Sequence, residues 1–170
     1  MQRLFSEGLR FRWVNIGSLA NAPLVEKLRL AVRDAGLEDY FTLTGPLDNP
    51  YGVMHRADAV CVLSDHESWS MVITEAKALG VPVIATRTSG ALEQIEDGKN
   101  GVLCGFSDEE IAESLRAFLT GGATETMRRD AKRPAAETSR DTLEALLEND
   151  TKKALYVFDD INYASGARAA

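Results

Sequence analysis

The chain has 170 residues, of which 45% are hydrophobic, and a formal net charge of −7. This length can bury the core of one domain, and the scattered Lys and Arg residues argue against a nucleic-acid partner, which requires a basic face. No apolar run is long enough to span a bilayer and no signal peptide is recognisable at the start, so a cytoplasmic location is expected. Cys61 and Cys104 lie in or beside apolar runs, which predicts packed thiols.

Short apolar runs alternate with amphipathic stretches over most of the sequence. Strands are predicted at residues 11–17, 40–44, 58–63, 82–85 and 101–104. Helices are predicted at residues 22–35, 51–57, 70–80, 91–95 and 107–119, the last opening with a capping box between Ser107 and Glu110. The alternation predicts an α/β protein with a Rossmann-like, doubly wound parallel sheet. Such sheets bind ligands outside the carboxyl ends of their strands.

The last part of the sequence has a different character. Residues 124–140 are charged and Ala-rich, and residues 141–158 are predicted to form a helix with several Leu residues on one side. We therefore predict a Rossmann-like domain at residues 1–122 and a helical tail at residues 123–170. The favoured interpretation is a helix that packs back on the domain; the alternative is a surface that docks on a partner.

Two acidic residues, Glu67 and Glu75, are separated by seven residues and flank the predicted start of a helix. Ser68 or Ser70 can cap this helix, and its unpaired N–H groups attract phosphate. Glu75 can then accept both vicinal hydroxyls of a ribose, and Glu67 can bind a sugar beyond the phosphate. On spacing alone, a solvated helix residue is the commoner explanation for Glu75. The whole pattern suits a nucleotide-activated sugar.

The segment E-S-W-S-M-V-I-T-E-A-K-A-L-G-V-P-V-I-A-T at residues 67–86 is followed by Ser89-Gly90, Glu93 and D-G-K-N-G. It resembles the C-terminal domain of retaining glycosyltransferases with two facing Rossmann-like domains (the GT-B fold), in the large group-1 or family-4 class that carries a Glu-x7-Glu motif. Ser68-Trp69-Ser70 stands where the family has Gly-Phe-Gly, which removes backbone freedom near the phosphate.

The resemblance implies roles for individual residues. Glu67 would be the catalytic residue that contacts the sugar, and Glu75 would hold the ribose. The sugar and diphosphate would contact His66, Ser68, Trp69, Ser70, Met71 and Val72. The base would lie along Gly45, Pro46 and Leu47. The implied partners are a UDP- or GDP-sugar donor, with no metal or other cofactor, and a glycan or lipid-linked acceptor, with peripheral membrane contact.

The resemblance also implies that parts of the family's structure are missing. The family's C-terminal domain begins with another strand, whose loop contributes Arg and Lys to the donor phosphates, and nothing before Phe11 has room for it. A separate acceptor domain is missing as well. We expect an incomplete fragment that folds but does not catalyse transfer. Two alternatives stay open: a nucleotide-sugar 2-epimerase-like domain, and a non-catalytic nucleotide-sugar-binding remnant.

Overall fold

The computed structural model of the protein describes residues 1–121, 126–127 and 155–157. The helices are α1 (Gln2–Ser6), α2 (Ala22–Asp34), α3 (Tyr51–Met54), α4 (Met71–Ala78), α5 (Ser89–Gln94) and α6 (Asp108–Thr120). The strands are β1 (Trp13–Ile16), β2 (Phe41–Gly45), β3 (Val60–Val62), β4 (Val83–Thr86), β5 (Gly101–Cys104) and β6 (Leu155–Val157). All six strands pair in parallel in one sheet, in the order β2-β1-β6-β3-β4-β5.

The chain winds outwards in two directions from the middle of this sheet. It moves from β1 to β2 on one side and from β3 through β4 to β5 on the other. Strand β6 lies at the point of reversal, where Tyr156 is aligned with Val14 of β1 and with Val60 of β3. In doubly wound sheets, the crevice at this reversal is the usual ligand site, at the carboxyl ends of the strands.

Most predicted elements are confirmed with boundaries shifted by a few residues, but one prediction is wrong and one element was not predicted. The element that was not predicted is helix α1. The helix predicted at residues 141–158 is wrong at Leu155–Val157, which form the central strand β6; residues 141–154 lie outside the described residues. Tyr and Val favour strands, and here the segment pairs with β1 and β3 on both sides. The predicted division at residues 122 and 123 stays a prediction, although residues from the predicted tail take part in the sheet.

The two faces of the sheet are covered by different apolar clusters. Alternate residues of a strand point to opposite faces, and in β3 this places Val60 and Val62 in one cluster and Cys61 in the other. The first cluster contains Ile73 and Ala76 of α4. The second contains residues of α1 and α6, including Leu4, Leu115 and Phe118. The core thus fixes α4 on one face, with its first residue following the loop after β3.

The two cysteines are buried within the second cluster and form no disulfide, as predicted. Burial raises the pKa of the Cys61 thiol to about 12 and that of Cys104 to about 11. Both thiols therefore keep their protons at neutral pH and act as small apolar side chains, because only the thiolate is reactive.

Candidate donor site at the carboxyl edge of the sheet

The loop from Ser64 to Ser70 is held in place by hydrogen bonds from β4 and α5. Thr86, the last residue of β4, donates a hydrogen bond from Oγ1 to the Ser64 carbonyl at 2.5 Å. The Glu67 carbonyl accepts from the Gly90 amide at 2.8 Å and from Ser89 Oγ at 3.1 Å. The loop is therefore anchored at its first residue and at its middle, and its backbone position depends on residues from the start of α5.

Helix α4 begins with unpaired amides at this edge. Ser70 is its N-cap, buried, and its Oγ accepts from the Ile73 amide at 3.4 Å. The Thr74 amide donates to the Ser70 carbonyl at 3.3 Å. The amides of Met71 and Val72 have no acceptor among the described residues, as expected for the first helical positions. Together with the helix dipole they make a position suited to an anion.

Glu75 lies one turn into α4 and is half-buried. Its Oε1 accepts a hydrogen bond from the Tyr51 hydroxyl at 3.1 Å. No other hydrogen bond or ion pair of this carboxylate joins it to a described residue, so Oε2 is open to a ligand. The predicted ribose-binding acid is therefore a held carboxylate with one oxygen still available.

Glu67, on the other side of the helix start, is half-buried, and its carboxylate makes no hydrogen bond or ion pair within the described part of the chain. His66 and Ser68 are exposed beside it. Trp69 and Met71 are 54% and 62% exposed. The predicted sugar and diphosphate residues thus surround the start of α4. Ser70 is buried, Glu67 and Val72 are half-buried, and the others have exposed side chains.

The predicted base-side residues Gly45, Pro46 and Leu47 lie at the carboxyl end of β2, the edge strand. Gly45 has φ of +75° and its carbonyl accepts from the Gly17 amide at 3.3 Å, which ties the loops after β1 and β2 together. No hydrogen bond among the described residues joins these three residues to residues 66–75. The connection runs through Tyr51, which follows the same loop and reaches Glu75.

The sequence analysis did not identify three residues that stabilise this site: Tyr51, Thr86 and Gln94. Gln94 is buried; its Nε2 donates to the Gly90 carbonyl and its Oε1 accepts from Thr74 Oγ1, both at 3.0 Å. This side chain joins α4 to α5. Its position between Ala91 and Ile95 on the apolar face of α5 was the available signal, because a polar residue there must find partners. For Tyr51 and Thr86 the sequence offers no such signal.

In the described ranges 1–121, 126–127 and 155–157, no group of three or more His, Cys, Asp or Glu side chains is placed to hold a metal ion. None of the helices in that part of the chain has the length and apolar character that a membrane span requires.

Comparisons with known proteins identify the family of this chain. The family described as glycosyl transferases group 1 matches residues 6–138. The chain is 38% identical over 77 residues to N-acetyl-alpha-D-glucosaminyl L-malate synthase of Bacillus anthracis, covering 45% of this chain and 20% of that protein. It is 36% identical over 124 residues to D-inositol 3-phosphate glycosyltransferase of Arthrobacter sp. strain FB24, covering 71% of this chain and 28% of that protein.

A structural relative is the crystal structure of HepE from Anabaena in complex with UDP, with a TM-score of 0.64 and 25% identity over 71% of this chain and 35% of that one. The chain thus spans about a third or less of the length of these relatives. The predicted Rossmann-like fold, one part of a GT-B protein, is confirmed. Since the family match extends over more than half of the chain, the protein belongs to the glycosyl transferases group 1.

Proposed function

We propose that this chain is the donor-binding part of a retaining glycosyltransferase, which moves a sugar from a nucleoside-diphosphate sugar to a glycan or lipid-linked acceptor. The observation that carries the proposal is the start of α4, where two unpaired amides lie between Glu67 and the held carboxylate of Glu75. The solved relative HepE has UDP bound in one structure and UDP-glucose in another, which supports a nucleotide-sugar ligand here.

The diphosphate would bind at the amides of Met71 and Val72. In sugar transfer the bond between the sugar and the diphosphate breaks, and negative charge grows on the leaving phosphate. Fixed N–H dipoles stabilise such charge without having to reorganise during the reaction. Helix α4 would therefore act on the leaving group, with catalysis coming from positioning and charge stabilisation rather than from a metal ion.

The nucleoside and the sugar would lie on opposite sides of the diphosphate. Glu75 would accept the ribose hydroxyls through its free oxygen, and the base would extend towards Gly45, Pro46 and Leu47. Glu67, with His66 beside it, would bind the hydroxyls of the transferred sugar. A carboxylate without a protein partner, as at Glu67, has all its lone pairs available for such donors.

The acceptor would be held by a second domain that faces this edge of the sheet. The chain spans only 28% of the inositol-phosphate glycosyltransferase and 35% of HepE, which supports a larger working enzyme. Transfer requires the acceptor within reacting distance of the sugar carbon. A lipid-linked acceptor would bring that enzyme into peripheral contact with a membrane.

The test is titration calorimetry of the chain with UDP, GDP and UDP-glucose. Glu75→Ala should weaken nucleotide binding by about 1.5–3 kcal/mol, the range for hydrogen bonds to a charged group. Glu26→Gln, an exposed acid on α2, is the control for loss of negative charge. Equal nucleotide affinities of wild type and Glu75→Ala, or no binding of either nucleotide to the wild type, would contradict the proposal.

Glu67→Ala separates the sugar role from the nucleotide role. UDP-glucose should lose its advantage over UDP in this variant, whereas the affinity for UDP itself should change little. If UDP affinity falls as much as UDP-glucose affinity, Glu67 is not a sugar-specific ligand.

A further inference from the structure

We propose that Tyr51 is a positioning residue for Glu75, and that their hydrogen bond sets how strongly the site prefers ribose over 2′-deoxyribose. The inference rests on the proposed function, since it assigns Glu75 to the ribose. Its basis is the contact between Tyr51 Oη and Glu75 Oε1 at 3.1 Å, which joins residues 24 positions apart in the chain.

Both partners of this hydrogen bond are fixed to the same core. The Tyr51 ring is half-buried and packs against the apolar cluster that contains Ile73 and Ala76, the buried residues on either side of Glu75 in α4. The Tyr51 amide donates to Asn49 Oδ1 at 3.1 Å, which fixes the start of α3. The phenol therefore approaches Glu75 from a rigid position, and the distance between them does not depend on a mobile surface side chain.

The contact leaves the carboxylate suited to its ligand. A phenol has one proton to donate, so it occupies one lone pair of Oε1 and leaves Oε2 for the ribose. Burial first, and then the nearby Glu75 carboxylate, raise the pKa of Tyr51 above its usual value of 10.0. The phenol thus stays protonated at neutral pH and remains a donor, so the carboxylate keeps one orientation before the nucleotide arrives.

Because Tyr51 orients the Glu75 carboxylate before the nucleotide binds, we expect the site to select ribose over 2′-deoxyribose. A free Glu side chain loses rotamer freedom when it binds, and a carboxylate already held by Tyr51 avoids part of that loss. A site built to accept a hydroxyl also disfavours the analogue that lacks it, because its acceptor is then left without a donor. Removing the Tyr51 hydroxyl should therefore weaken binding of the ribose form of a nucleotide, which offers both hydroxyls to Glu75, more than that of the 2′-deoxy form, which offers only the 3′-hydroxyl.

The experiment measures the affinities of UDP, GDP and their 2′-deoxy forms for the full chain. We expect the wild type to prefer the ribose forms by at least about tenfold, the lower limit for the effect of one hydrogen bond to a charged group. Tyr51→Phe keeps the ring and should reduce that preference by about two- to fivefold, less than the loss of a direct hydrogen bond to a charged group, because Tyr51 acts on the ribose only through Glu75. Tyr40→Phe is the matched control, because Tyr40 is half-buried against Phe5 with ring centroids 4.8 Å apart, away from the site.

The outcomes separate the two proposals. If Glu75→Ala abolishes the preference and Tyr51→Phe leaves it unchanged, Glu75 binds ribose and the role of Tyr51 is wrong. If the wild type binds the nucleotides without a preference for ribose, the role of Tyr51 is wrong while nucleotide binding stands; if it binds none of the nucleotides, both proposals fall.

A second measurement needs no nucleotide. The ultraviolet titration of Tyr51, obtained as wild type minus Tyr51→Phe, should move to lower pH when Glu75→Gln removes the neighbouring charge. An unchanged titration would mean that the contact does not form in solution, which overturns the proposal.

Discussion

The two sides of the sheet are assembled in different ways. Strands β3, β4 and β5 follow one another in sequence, with α4 and α5 between them, and each pairs with the next. Strand β1 meets β3 only through β6, which comes from residues 155–157. The side with α4 can therefore form from local strand–helix–strand units, whereas its alignment with β1 and β2 requires a distant segment.

This difference has a consequence for the site. Glu67, Ser70 and Glu75 belong to the locally assembled side, and Gly45 to Leu47 belong to the other. Tyr51, which follows the loop of Gly45 to Leu47, donates a hydrogen bond to Glu75 and so connects the two sides, which β6 separates in the sheet order. Helix α3, which begins at Tyr51, also lies in contact with β6. Disturbing β6 should thus separate the base side of the site from the phosphate side.

The largest effect is expected from Tyr156→Pro in β6. Proline lacks the N–H that a central strand needs and leaves the neighbouring carbonyl unpaired, at a cost of about 1–3 kcal/mol for that carbonyl alone. The free energy of unfolding, measured with urea, should fall by at least this amount. Tyr156→Ala keeps the N–H and is the control. Equal losses for the two variants would show that β6 does not pair as a central strand.

The sequence predicted the locally assembled side well because its signals are local. Ser107 is an N-cap as predicted, Ser70 is the one of the two predicted capping residues, Ser68 or Ser70, that caps α4, and the strand at Gly101–Cys104 has the predicted bounds. These features depend on residues within one turn or on continuous apolar runs. Five of the six strands and the placement of Glu67 and Glu75 around one helix start followed from such signals.

The distant connections could not be predicted in the same way. Periodicity gives no information on which strand lies between β1 and β3, and the apolar residues near Tyr156 suit a helix face as well as a strand. Helix α1 has five residues, too few for a period to stand out. Tyr51 to Glu75 is a contact between side chains from separate elements, so it appears only once both elements are packed on one core.

The next effect concerns the local side itself, through Gly90→Ala. A Cβ at Gly90 would lie 2.8 Å from the carbonyl carbon and oxygen of Ser68 and from the Trp69 amide nitrogen. The loop that carries Glu67 must then move, and overpacking of this kind costs about 1–3 kcal/mol. We expect a lower free energy of unfolding together with weaker binding of UDP-glucose.

Ser89→Ala is the comparison variant for Gly90→Ala. It removes only the hydrogen bond to the Glu67 carbonyl at 3.1 Å and adds no atom. Its effect on UDP-glucose binding should be clearly smaller. If the two variants weaken UDP-glucose binding similarly, that hydrogen bond, and not the close approach of the loop to α5, determines the position of the loop.

A smaller effect is expected from removing the cap of α4. Ser70→Ala deletes the Oγ that accepts from Ile73, and the loss of an N-cap costs about 1 kcal/mol. Ser107→Ala deletes the matching cap of α6, far from the start of α4 in the sequence. Both variants should lower stability by a similar amount in urea unfolding, but only Ser70→Ala should weaken UDP binding. Equal weakening by both would show that general stability, and not the start of α4, governs affinity.

The smallest effect is a pH dependence at another distant connection, between α1 and α6. The Arg116 guanidinium donates two hydrogen bonds to the Glu7 carboxylate at 2.6 and 2.7 Å, and this hydrogen bonding lowers the pKa of Glu7 from its usual 4.5. Because the folded value is the lower one, the pair stabilises the fold above pH 4.5 and loses its effect as the pH falls through the folded pKa. Both side chains are more than a third exposed, so the contribution is small and screened by salt.

Arg116→Gln should be less stable than the wild type at pH 7, and the two stabilities should converge as the pH falls. Lys27→Gln is the control, because it removes an exposed cation of α2 that is not paired with Glu7. A wild type and an Arg116→Gln variant with parallel pH profiles would mean that the pair does not join α1 to α6 in solution.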